Sequence, residues 1–146
     1  MKTIVLLADS AQTDSQGKIH ALGLGWSFTG SPTPPAAIVV LIEVDWNETN
    51  RRYKLEADLV DEDGQPVLVP GPFGHVPMHF EAEYELGRPP GVIPGTPLSI
   101  PMAVPISGGM ALTPGKRYTW VVKNSGQPND ELGVSFSIRP EESTPL

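Results

Sequence analysis

Cysteine is absent from the 146 residues, which excludes disulfides, thiolate metal sites and cysteine nucleophiles and fits a reducing, cytoplasmic setting. Basic residues are scarce as well: ten Lys and Arg stand against seventeen Asp and Glu, for a formal charge of -7 and a pI near 4.8. That balance disfavours nucleic acid and anionic membranes as partners, because their phosphates repel an acidic chain. The one small basic cluster, Arg51-Arg52 with Lys54, is flanked by Glu48 and Glu56 and reads as a solvated strand start. Long apolar runs are missing too, and nothing approaches the roughly 18 residues of a membrane-spanning helix. The opening stretch has an apolar core of about five residues before Asp9, short of the roughly 7–15 of a signal-peptide core. Residues 3–8 are therefore expected as a first strand, buried on both faces.

Seventeen prolines and fifteen glycines are what the chain has in excess. They fall between apolar runs and without a short repeat, so they punctuate a β fold and do not mark disorder. The clearest strand signal is the alternation of Tyr53, Leu55, Ala57 and Leu59 with Lys54, Glu56 and Asp58, a period of two that buries one face and wets the other. It runs into Asp61-Glu62-Asp63-Gly64, where Asp side chains accept backbone N–H groups and glycine takes positive φ, and resumes at Val67-Leu68-Val69. A hairpin is expected, with Pro66 placing the return strand at an edge or delaying it to Val67.

Further strands are expected at 18–28, 36–44, 78–86, 98–106, 116–123 and 132–138. The Val- and Ile-rich segment 36–44 is expected to be central. Pro101 and Pro105 make 98–106 an edge strand or a broken one. Residues 9–17, 30–35 and 45–50 read as loops, Gly25-Trp26-Ser27-Phe28 as a corner, and 87–97 as a crossover between sheets. The last two strands form a second hairpin. These elements predict an all-β fold, an antiparallel β-sandwich of about 7–9 strands, immunoglobulin-like or C2-like, with a single barrel as the alternative. One domain over 1–140 and a flexible tail over 141–146 follow.

Candidate chemistry is thin. Asp61, Asp63 and Gly64 resemble a fragment of a calcium loop, but Pro66 and Pro72 occupy the positions that require glycine and glutamate. Loop carboxylates such as Asp9, Asp14, Asp45 and Asp63 offer a different calcium set. His75, His79 and Glu81, with His20 as a further ligand, offer donors for zinc or iron, although Pro77 between the histidines argues against a shared face. No serine sits in a nucleophile elbow, and no phosphate loop or dinucleotide fingerprint occurs. Neither a catalytic residue nor a cofactor is expected. Trp26, Trp46 and Trp120 are candidates for a ligand or interface surface.

Four marks spread along the chain carry a resemblance: Ala8-Asp9, Gly17-Lys18-Ile19 with Gly23-Leu24-Gly25-Trp26, residues 59–64, and Leu112-Thr113-Pro114-Gly115 ahead of Tyr118. In these the sequence resembles a mainly bacterial family of short all-β proteins, a domain of unknown function with no assigned activity. The resemblance implies a β-sandwich-like pattern and carries no catalytic residue across. The expected function is a noncatalytic protein-interaction or assembly module, with a protein partner or self-association. A small-molecule or carbohydrate-binding module is the alternative, and a calcium-binding sandwich the third reading.

Overall fold

The computed structural model describes residues 1–141; residues 142–146 of the expected flexible tail lie outside the described residues. Among the described residues the chain forms twelve strands: β1 (Lys2–Ala8), β2 (Ser10–Thr13), β3 (Ile19–Leu22), β4 (Phe28–Thr29), β5 (Ala36–Val44), β6 (Arg52–Val60), β7 (Leu68–Gly71), β8 (Gly74–Pro77), β9 (His79–Glu85), β10 (Leu98–Ile106), β11 (Arg117–Asn124) and β12 (Leu132–Ile138). A single 3-10 turn, Trp46–Glu48, follows β5. The fold is all-β, built from a sheet ordered β1-β5-β10, a sheet ordered β4-β12-β11-β6-β9 and two separate hairpins, β2-β3 and β7-β8. Every pairing is antiparallel except that of β4 with β12.

Strand β5 is central, paired with β1 on one side and β10 on the other. Its alternate residues Ile38, Val40, Ile42 and Val44 point into one core with Leu55, Leu59, Trp120, Val122, Phe136 and Ile138 of the larger sheet. Burial of this apolar set supplies the main driving force, at about 25 cal/mol per Å² removed from water. Strand β10 runs unbroken through Pro101 and Pro105, because it bonds only to β5 and its other edge needs no ladder donors. Residues 87–97 carry the chain from β9 in the larger sheet to β10 in the smaller one.

The strand count exceeds the expected seven to nine. Residues 10–13, expected as loop, pair with 19–22, and the chain breaks after Leu22 because Gly23 and Gly25 adopt φ of +63° and +88°. Residues 74–77, where no strand is expected, pair with 68–71. The first strand is not buried on both faces: β1 is an edge strand, and Ile4 is 43% exposed.

The turn at 61–64 forms as its composition dictates. Asp61 Oδ1 accepts the N–H groups of Asp63 and Gln65, each at 2.9 Å, and Gly64 sits at φ +76°. Pro66 makes an isolated bridge with Val60, and the N–H of Val67 donates to the carbonyl of Leu59. Pairing with β6 then stops. The chain leaves as the β7-β8 hairpin and returns at Met78, whose N–H donates to the carbonyl of Val67 at 2.9 Å; from there β9 takes over as the partner of β6.

Candidate functional site

The outer face of β6 and β9 carries a cluster of facing acids and cations. Antiparallel register sets Glu56 opposite Glu81 and Asp58 opposite His79. Like charges directly across a sheet repel, and the neighbouring cations answer this. Lys54 Nζ lies 3.4 Å from Glu56 Oε1 and 3.4 Å from Glu81 Oε2. His79 Nε2 lies 2.9 Å from Glu81 Oε1, and its Nδ1 lies 2.5 Å from Asp58 Oδ1. Both ring nitrogens face carboxylates, so the imidazolium, with two N–H donors, satisfies the geometry best. The hydrogen bonds to Glu81 and then to Asp58 accordingly raise the His79 pKa above its ordinary value. Glu81 is held low by the His79 bond and then by Lys54. Lys54 is raised, chiefly by its bond to Glu81 and the charge of Glu56.

One ligand atom each from Glu56, His79 and Glu81 falls within a 4.8 Å group, a donor set of imidazole and carboxylates. The ammonium of Lys54 and the imidazolium already supply positive charge there, so a divalent ion would have to displace both. Glu56 takes the place that spacing gave to His75, which lies on β8 opposite Pro70 and points into solvent. Only cross-strand register reveals Glu56; linear spacing holds no sign of it. His20, on β3, pairs with Asp14 at 2.8 Å. Among the described residues, Asp9, Asp14, Asp45, Asp61 and Asp63 do not join a group of three such ligands. Asp14 accepts the N–H groups of Gln16 and Lys18, Asp61 accepts those of its own turn, and Asp45 precedes the 3-10 turn, its N–H donating to Glu48.

The tryptophans have three different settings. Trp120 is 1% exposed and packs 5.6 Å from the Phe80 ring. Trp26 stands edge-on to Phe136 at 5.5 Å, and its buried indole N–H meets no acceptor. Trp46, on the 3-10 turn, is covered by Arg88, whose guanidinium carbon lies 4.2 Å from the ring centroid and whose Nη2 donates to the Trp46 carbonyl at 2.7 Å.

Two further surfaces stand out. Among the described residues the β7-β8 hairpin pairs with no third strand, and it exposes Leu68, Val76 and, completely, Phe73 at its tip. On the far side of the smaller sheet, the β2-β3 hairpin leaves a groove of about 550 Å³.

A family model described as "Family of unknown function (DUF6941)" matches residues 3–136. The chain belongs to this family. Comparison with curated proteins gave no match, and comparison with solved structures gave none. The DUF6941 match spans the polar cluster, all three tryptophans and the β7-β8 hairpin, and it takes in the groove apart from Lys2.

Proposed function

We propose that this DUF6941 chain is a noncatalytic module that binds a protein partner through the β7-β8 hairpin. The reading is carried by Phe73, fully exposed at the tip of a hairpin that, among the described residues, pairs with no other strand. An isolated two-stranded hairpin is marginal in water. Here it is rooted, because Val67 and Met78 at its base pack on the core and bond to one another. Pro70 and Pro72 restrict the arm before the tip. A stiff arm presenting an aromatic side chain suits an anchor that enters an apolar pocket on a partner, where aromatic residues contribute much of the binding energy. The two larger sheets are read in the same proposal as the layers of a β-sandwich, supported by the single core their inner faces share.

The test places a photoreactive phenylalanine analogue at position 73, with the same analogue at Asp63 as control, and follows crosslinking in cells that express the chain. The expected result is a discrete heavier species from position 73 alone, lost when Leu68 and Val76 are changed to Ser. Equal crosslinking from both positions, or none from either, overturns the proposal. Native mass spectrometry of the purified chain separates a foreign partner from a second copy.

A further inference from the structure

In the β1-β5-β10 sheet, the residues that alternate with the core-facing set turn to the opposite side. There Leu6, Val39 and Ala103 form one cross-strand row, Ile4, Leu41 and Pro101 the next, and Lys2, Glu43 and Ser99 the last. The β2-β3 hairpin packs against β5 and β10 on this side, and Ala37 and Val39 are 2% exposed. Its cover ends there. The loop end of the hairpin, Gln16 to Lys18 with Ile19 at the start of β3, overhangs the Ile4-Leu41-Pro101 row and leaves the groove of about 550 Å³ between them. That volume falls within the roughly 300–1,000 Å³ of small-molecule sites.

The charge at this groove opposes that of the protein. The net charge is -7, yet the lining holds Lys2 and Lys18 against one carboxylate, Glu43. Glu43 stands directly across from Lys2 in the β1-β5 register, which leaves Lys18 on the loop as the cation without a facing acid in the lining. Among the described residues neither lysine forms an ion pair. The loop is held in shape by Asp14, whose Oδ1 accepts the N–H groups of Gln16 at 2.8 Å and Lys18 at 3.0 Å.

We infer that the groove binds a small amphipathic carboxylate, with its hydrocarbon body on Ile4, Leu41 and Pro101 and its carboxylate beside Lys18. This site is separate from the hairpin surface, so either can fail without the other.

The probe is octanoate, titrated into the isotope-labelled full chain and followed by amide chemical shifts. The expected result is saturable shifts at Ile4, Leu41 and residues 17–19, with a dissociation constant at or below about 1 mM. Lys18→Gln is expected to weaken binding by about fivefold, the scale of a partly solvated ion pair. Ile4→Ser, at an exposed position that does not threaten the core, is expected to weaken it as well. Equal binding of octanol or octylamine overturns the inference, as does the absence of shifts up to about 10 mM octanoate. Shifts centred on Phe73 also overturn it. Shifts at the same groove residues on simple concentration, without octanoate, would assign the groove to a second copy and equally overturn it.

Discussion

Asp9 packs against Gly23 so closely that a β-carbon on Gly23 would lie 2.0 Å from Asp9 Oδ2 and 3.0 Å from Asp9 Cβ. The contact lies where β1 hands over to β2 and where β3 ends. The N–H of Asp9 donates to the carbonyl of Leu22 at 2.9 Å, and that of Gly25 to the carbonyl of Leu7 at 2.6 Å. Gly23 therefore serves two needs at once, the positive φ of +63° and the room for Asp9.

Gly23→Ala is expected to destabilise the domain by about 1–3 kcal/mol, from strain at positive φ plus the displacement of the exposed Asp9 side chain. Gly17→Ala, at φ +76° with open space around it, carries the strain alone, about 1 kcal/mol. Urea denaturation of both variants checks this. In an Asp9→Ala background the cost of Gly23→Ala should fall, and equal costs in the two backgrounds would refute the steric account.

Within the 61–64 turn the two aspartates are not equivalent. Asp61 Oδ1 holds two N–H groups, so Asp61→Ala is expected to cost about 1–2 kcal/mol. Asp63 is exposed, and Asp63→Ala should stay within about 0.5 kcal/mol. Thermal denaturation distinguishes them, and a reversed order would reassign the turn.

His79 gives stability a definite pH dependence. Its pKa in the folded chain lies above the ordinary 6.5, so its contribution is complete below pH 6.5 and is lost as pH rises through the folded value. Glu81 acts in the opposite sense. Its pKa lies below the ordinary 4.5, so its contribution is present above that pH and is lost as pH falls through the folded value. Urea midpoints for the native chain and His79→Gln should lie furthest apart near pH 6 or slightly below and converge in alkali, as about one exposed bridge requires. A gap that is constant with pH would show that His79 does not bind its proton more tightly when folded.

Among the described residues Asn124 is the most buried polar side chain, at 2% exposure. Its Oδ1 accepts the Tyr84 hydroxyl at 2.6 Å and the Gly126 N–H at 3.0 Å, and its Nδ2 donates to Thr3 Oγ1 at 3.1 Å. Burial pushes the Tyr84 phenol up to about 12, against the smaller opposing effect of the Asn124 bond. Asn124→Leu keeps the volume but strands these partners, at an expected cost of about 2–4 kcal/mol. Tyr84→Phe should cost about 1 kcal/mol. Denaturant midpoints measure both, and a neutral Asn124→Leu would mean that the network does not stabilise the fold.

The strands with regular alternation were legible because a half-buried strand writes its two faces into the sequence with period two. Segments 52–60, 79–85, 117–124 and 132–138 show this, whereas 36–44 was legible as a continuous Val- and Ile-rich run. The short hairpins were not legible. Ser10-Ala11-Gln12-Thr13 has no apolar face of its own and becomes a strand by pairing with 19–22, and 68–77 is rich in proline and glycine, which ordinarily mark turns. The 61–64 turn could be read locally because its donors and acceptors lie within five residues.

The sequence by itself determined an all-β chain, the positions of its long strands, the turn chemistry of Asp61 and Gly64, and the acidic outer face of β9. These rest on local periodicity and backbone sterics. Only the tertiary structure decided that Glu56 stands opposite Glu81, that Lys54 lies between them, that Asp9 fills the space over Gly23, and that the β2-β3 hairpin stops short of Ile4. Each of these depends on register and on the packing of segments distant in the chain, which alternation along a single strand does not encode.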